Sequence, residues 1–141
     1  MKYIFLTILS LFLAINLEAK NPILSPTFDD IIKKTIQNDK YVFDDKNINI
    51  SVPAFADNPT QVPIFVDAKK IKNAKRMILF ADLNPIPEII DMKLGNLLAL
   101  ISLNIKVAQE TPIRVLILDE HNIWHIASKN IKSFGGGCSV S

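Results

Sequence analysis

The sequence predicts an all-β fold: an antiparallel β-sandwich with a short N-terminal helix before it and a flexible glycine-cysteine arm after it. Three features carry this prediction. From Asn47 onward, apolar residues recur at every second position in one run after another. Clusters of turn-formers separate the runs at fairly regular spacing. The helical crossovers that parallel strands need are missing, which disfavours a doubly wound α/β sheet.

Residues 1–19 read as an export signal. Met1 and Lys2 give a short positive start, Tyr3 to Leu17 form a largely apolar run of fifteen residues, and small Ala19 precedes the expected cut. A membrane span needs about 20 apolar residues, so the run is short for an anchor. No cysteine near the cut offers a lipid attachment point, and no arginine pair marks the twin-arginine route. The expected mature protein is periplasmic, with no membrane association after cleavage.

Residues 20–45 read as a helical flank. In "SPTFDDIIKKTIQ", Ser25 can cap a helix, Pro26 suits its first position, and Asp29 and Asp30 sit in the positively polarised first turn. Phe28, Ile31, Ile32, Thr35 and Ile36 share one face, which is expected to pack. Residues 46–134 are the sandwich. Its strands are "INISV", "VPIFVDA", "KRMILFA", "ISLNIKV", "PIRVLIL" and "IWHIAS", with turns at "DNPT", "NPIP" and "DEHN". In "ISLNIKV", Ile101, Leu103, Ile105 and Val107 face one way, while Ser102, Asn104 and Lys106 face the other.

With 141 residues, 49% of them hydrophobic, the chain suits one domain with a modest core. A net charge of +2 from scattered lysines provides no basic stripe, which argues against a nucleic-acid partner. P-loop and dinucleotide glycine patterns are absent, so no cofactor is expected. "DEHNIWH" places Asp119, Glu120, His121, Trp124 and His125 close together in sequence. On a hairpin, positions i and i+4 do not converge as they do on a helix. A solvated turn is the better reading, with no metal site and no catalytic residue. Cys138 is expected to be mobile enough to reach either His121 or His125, but no third group orients such a base. The chain is not read as a self-sufficient enzyme.

The remaining signal is "IKSFGGGCSVS", which holds the only cysteine and three of the four glycines. Gly135, Gly136 and Gly137 form a slim arm (residues 135–141) free of side chains ahead of Cys138. Four extended residues carry the thiol roughly 13–14 Å beyond Phe134, far enough to enter a narrow channel in another protein. A lone cysteine in an oxidising compartment points to intermolecular pairing or a reactive thiol. Composition leaves open a carrier thiol and a terminus that merely oxidises.

Four stretches in order resemble the SoxY family of sulfur carriers: "INISVPAFADNPTQVPIFVDA", "MILFADLNPIPEII" with Asn84, Pro85 and Pro87, "TPIRVLI" with Arg114, and the glycine-cysteine ending. The resemblance implies an immunoglobulin-like sandwich that pairs with a SoxZ-like β-sandwich subunit. It implies that Cys138, behind Gly136 and Gly137, carries covalently bound sulfur between periplasmic sulfur-oxidising enzymes. Asn84, Pro85, Pro87 and Arg114 match framework positions. The family's usual ending is Gly-Gly-Cys-Gly-Gly, whereas Ser139, Val140 and Ser141 follow Cys138 here. That ending looks closer to SoxYZ-like carriers, in which a Z-like half follows in one chain; none follows here, so a separate partner is expected. The alternative is a non-catalytic interaction module whose Cys138 only links a disulfide dimer.

Overall fold

Apolar residues on both faces of two strands set the architecture. The computed structural model describes residues 27–133. The export signal, Ser25, Pro26 and the arm from Gly135 to Cys138 lie outside the described residues. A single α-helical turn, Phe28–Ile31, continues into a π-helical turn, Ile32–Ile36. Nine strands follow: β1 (Lys40–Phe43), β2 (Asn49–Ser51), β3 (Phe55–Ala56), β4 (Val62–Asp67), β5 (Arg76–Ala81), β6 (Glu88–Lys93), β7 (Leu100–Ile105), β8 (Thr111–Leu118) and β9 (Ile123–Ser133). The larger sheet runs β1-β9-β8-β5-β6, with β3 added beside β9; the smaller runs β2-β4-β7. This is the expected immunoglobulin-like sandwich, preceded by its short helix.

The smaller sheet has one buried face. On β4, Val62, Ile64 and Val66 point inward while Pro63 and Phe65 are exposed. Opposite them, the larger sheet contributes Met77, Leu79, Ile113, Val115, Ile117 and Ile131 to a single core. The intervening residues of the larger sheet form a second core. Ile78, Phe80, Leu116, Trp124 and Ile126 pack beneath Ile31 and Ile36 of the helical segment. β5 and β8 are therefore covered on both sides and read as continuous apolar runs, the pattern of a sheet without a solvent face.

Three features differ from expectation. The flank carries a strand, β1, as well as a helix, and the helix N-cap is Thr27 with no side-chain capping bond. β1 and β3 both pair with β9 in parallel, because the chain enters the sheet from the helical layer and returns to it from the other sheet. β6 was not foreseen as a strand. It lies on the sheet edge, where adjacent Ile89 and Ile90 are both half-buried.

One buried ion pair joins the helical layer to the sheet. Arg114 donates from Nε to Asp82 Oδ1 at 3.2 Å and from Nη2 to Oδ2 at 2.6 Å, with both side chains fully buried. The Phe28 ring lies over the guanidinium, 4.6 Å from its carbon, and Thr27 donates its hydroxyl to the Asp82 carbonyl. A second polar clasp holds β1. His125 Nδ1 is 2.7 Å from Asp44 Oδ2, and its Nε2 is 3.1 Å from Asp119 Oδ2. Burial raises the Asp44 carboxyl, but hydrogen bonds from Asn47 and His125 outweigh it and the net shift is downward. Asp119 is lowered in the same way, burial being outweighed by the Ile123 N–H, His125 and the His121 N–H.

Two predictions follow from these clasps. Removing one member of a buried pair strands the other charge, so Asp82→Ala should cost about 3–5 kcal/mol in urea unfolding. The carboxylates of the His125 clasp have folded-state values below those of the unfolded chain. Their stabilisation is complete above about pH 4 and is lost as pH falls through the folded values. Thermal melts from pH 6 down to pH 2.5 should show a shallower acid loss for His125→Ala than for wild type. The slope that remains comes from Asp67, lowered by the Lys69 N–H, from Asp91, lowered by Arg76, and from the Asn47, Ile123 and His121 bonds still held by Asp44 and Asp119.

Candidate functional site

The site is built from the end of β9 outward. β8 pairs with β9 as far as Thr111 opposite Ile131. Beyond that point β3 takes over on the other edge, with Phe55 opposite Lys132 and Ala56 opposite Ser133. The Lys132 N–H also donates to the Ala54 carbonyl at 3.2 Å. The strand that leads to Cys138 is thus fixed to its last described residue.

Two loops surround this exit. Antiparallel pairing sets Ala81 opposite Ile113, which brings the β5–β6 loop, residues 82–87, to the same end as the start of β8. The Asn84 side chain ties that loop to residues 106–110. Its Nδ2 donates to the Lys106 carbonyl at 2.8 Å, and its Oδ1 accepts the Ala108 N–H at 2.9 Å. Gln109 donates to the Leu83 carbonyl, and the Leu83 N–H donates to the Thr111 hydroxyl. The Val107 N–H then reaches the Pro59 carbonyl, in the segment that follows β3. A continuous chain of hydrogen bonds therefore runs around the end of the sandwich from which the cysteine segment leaves.

The braced loop presents Ile86 with 77% of its surface exposed, between Pro85 and Pro87. Phe55, on the strand that holds the β9 exit, is also exposed. Exposed charges of both signs lie at this end, among them Asp30, Asp57, Glu88 and Glu110 with Lys34, Lys106 and Lys132. The framework residues Asn84, Pro85 and Pro87 thus shape this end, and Arg114 anchors it from beneath through Asp82.

The histidines are placed elsewhere. His121 is exposed, and His125 is held by Asp44 and Asp119. Eight residues separate His125 from Ser133, about 26 Å of strand at 3.3 Å per residue. Five residues separate Ser133 from Cys138 and span about 18 Å at full extension. The expectation that Cys138 could reach either ring is corrected by this length: even laid straight back along β9, the tether ends short. Among the described residues no group of three or more His, Cys, Asp or Glu is placed to hold a metal. Asp44 and Asp119 sit on opposite nitrogens of one ring and so cannot share a cation with it. A cleft of about 410 Å³, lined by Lys69, Ile71, Asn73, Leu97 and Leu98, opens at the opposite end of the sandwich.

Sequence reasoning missed Ile86 and Phe55 as surface features. The available signal for Ile86 was an apolar residue between two prolines in a turn, where the backbone cannot fold it into the core.

The comparisons with known proteins agree with this geometry. Among solved structures, the sulfur carrier protein SoxY from Chlorobium limicola f thiosulfatophilum matches with a TM-score of 0.65 at 22% identity, covering 74% of this chain and 94% of that one. Superoxide reductase (neelaredoxin) from Ignicoccus hospitalis matches with a TM-score of 0.54 at 11% identity, covering 62% of this chain and 80% of that one. At such identities the shared property is the fold. No curated protein matches the sequence. The model of the family described as sulfur oxidation protein SoxY matches residues 32–138, from the helical segment through the sandwich to the cysteine itself. The chain belongs to the SoxY family.

Proposed function

We propose that this protein is a periplasmic sulfur carrier, itself not an enzyme, that holds sulfur intermediates covalently on Cys138 and presents them to the enzymes of sulfur and thiosulfate oxidation. The observation that carries this reading is the family match extending to Cys138, on a strand fixed to within five residues of that thiol. Family membership supports the sulfur-carrier role; export by a Sec-type signal, the swinging glycine arm and the partner enzymes are the finer parts of the proposal. The thiolate is the reactive form, and an exposed cysteine has a pKa of about 8.5. With both histidines out of reach, activation of the sulfur belongs to the partner's site.

The chemistry fixes the kind of enzyme that loads the carrier. Joining R–SH to thiosulfate gives R–S–S–SO3⁻ with release of one proton and two electrons, so the loading enzyme is an oxidising one with its own electron acceptor. A Z-like sandwich subunit is the expected companion. The edge strand β1, with Tyr41, Val42 and Phe43 all exposed, offers it an apolar sheet edge.

Intact mass of the protein after exposure to thiosulfate and a periplasmic extract should show a sulfur adduct on wild type and none on Cys138→Ser. Cells carrying Cys138→Ser should lose thiosulfate oxidation. A Cys138→Ser strain with full oxidation, together with a wild type that runs only as a disulfide dimer on non-reducing gels, would instead select the interaction-module alternative. Deleting Gly136 and Gly137 shortens the tether by about 7 Å. This variant should lose enzyme-dependent loading while its thiol reacts with iodoacetamide at the normal rate.

A further inference from the structure

We propose that the end of the sandwich opposite the cysteine segment is a membrane-docking tip, in which Leu97 and Leu98 enter the headgroup layer of an anionic phospholipid bilayer and the neighbouring lysines meet its phosphates. The inference is independent of what Cys138 carries. It departs from the expectation of no membrane association, which rested on the lack of a span or a lipid anchor.

Two loops build the tip. Residues 68–75 join β4 to β5, and residues 94–99 join β6 to β7. The Ala68 N–H donates to the Ala99 carbonyl and the Leu94 N–H to the Lys75 carbonyl, both at 2.8 Å, so the loops are tied together at both ends. Ile71, Ala74, Leu94 and Ala99 turn inward and join the core between the sheets. From these fixed roots the second loop turns through Gly95, at φ +56°, and projects Leu97 and Leu98, 67% and 64% exposed. Exposed Leu100, at the start of β7, extends the apolar edge.

The charge around these leucines has one sign. "AKKIKNAK", residues 68–75, carries Lys69, Lys70, Lys72 and Lys75 and no acid; residues 94–99 carry no charge, and Lys93 precedes them. Lys69 and Lys72 line the cleft of about 410 Å³ beside Leu97 and Leu98. The acids on the flanking strands are engaged, Asp67 by Lys69 and Asp91 by Arg76. Glu120 accepts from the Asn73 side chain. Asp39, Asp44, Asp45 and Asp119 lie around the β1–β9 edge, across the end from the leucines. Lys70 reaches the Lys46 carbonyl and Lys75 the Asn122 side chain, both in exposed contacts that an anionic surface can replace.

Composition selects the occupant. Protein interfaces draw on Tyr, Trp and Arg and are poor in lysine, whereas these two loops offer leucine and lysine and no aromatic residue. That pairing suits a bilayer. Aliphatic side chains settle between the headgroups, and lysine stems lie beside them with their ammonium groups at the phosphates. Each lysine close to an anionic surface strengthens binding about fivefold. Ten strand steps, about 33 Å, separate Ile123 at this end from Ser133, so docking keeps the root of the cysteine segment clear of the lipid.

The test is co-sedimentation of the processed protein, its N-terminus fixed by intact mass, with lipid vesicles. One set is phosphatidylcholine alone; the other is phosphatidylcholine and phosphatidylglycerol in equal parts. Wild type should bind the mixed vesicles at least tenfold more tightly than the neutral ones, and sodium chloride should weaken that binding. The double variant Lys69→Gln/Lys72→Gln should lose at least tenfold, and Leu97→Ser/Leu98→Ser a comparable amount. Leu98→Trp should shift its emission to the blue on mixed vesicles only, against a constant background from buried Trp124. Ile86→Asp, at the arm end, should bind as wild type does. Trp124 emission without vesicles checks that each variant is folded. Wild type that binds neither vesicle set, or both equally, overturns the proposal. So does full binding by the leucine variant, which would mean adsorption by charge without insertion. Stronger displacement by sodium sulfate than by sodium chloride at equal ionic strength would mark a free-anion site. Retention on immobilised polyglutamate without vesicle binding would mark an acidic protein partner. Either result overturns the lipid assignment, and none of these failures touches the carrier proposal, because no sulfur chemistry enters the assay.

Discussion

The fixed end of β9 is the constraint on which the rest depends. β8 holds the strand along one edge to Ile131, and β3, a strand of only two residues, holds Lys132 and Ser133 from the other edge. Such a short strand adds little stability alone. Its position matters more, because it holds the last described residues of β9, five residues before Cys138. A strand that frayed at Ile131 would lengthen the tether by two residues, or about 7 Å, and blur its origin. The hydrogen bonds from Asn84 through residues 106–110 to Pro59 support the same end from the outside.

The second core explains how a domain of this size keeps that end rigid. A sandwich with two sheets and one buried layer between them would leave Ile78, Phe80, Leu116, Trp124 and Ile126 in water. The helical segment covers them, and the Arg114–Asp82 pair with Phe28 above it fastens the segment to the sheet. Fully burying an apolar side chain of this kind is worth about 1.5–3 kcal/mol, which far exceeds what a nine-residue helix contributes by its own hydrogen bonds. Tertiary packing thus holds the helix, which is why part of it tolerates π-helical geometry. The buried ion pair specifies the docking position more than it adds net stability, since burying charge offsets much of the attraction gained.

Much of this was legible in the chain. β4 and β7 each bury one face, and their alternation, Val62-Ile64-Val66 and Ile101-Leu103-Ile105, marks both the strand and the side that packs. The runs in β5 and β8 are strands by length and composition. That two layers cover them was half visible in the continuous apolar stretches "MILF" and "VLIL" and half in the apolar face of the flank. β1 was hidden because all four of its residues are exposed, which leaves no period to read. β3 is too short for any periodicity, and its parallel pairing depends on the path of the whole chain. The His125 clasp shows the same limit. Asp119 is six residues away and visible as a neighbour, whereas Asp44 is 81 residues away and joins only through the register of β1 against β9. The tail stood out by composition, while the surface around its root depends on loop contacts that no local pattern encodes.

On the function proposed above, a thiol kept out of reach of both histidines is slow at neutral pH, and that slowness has a use in a carrier. A sulfur adduct held beside its own general base would exchange with any passing thiol, since reactivity follows the thiolate fraction and access. Here β9 places both histidines beyond the tether's length, and His125 is occupied by two carboxylates. Reactivity then depends on the pocket that receives the sulfur. On the function proposed above, distance from both histidines protects the cargo in transit, and the same strand fixes where the tether to Cys138 begins. In the proposed function, separation of the sulfur from its own bases and a fixed origin for its presentation are two consequences of one structural element, the length and clamping of β9.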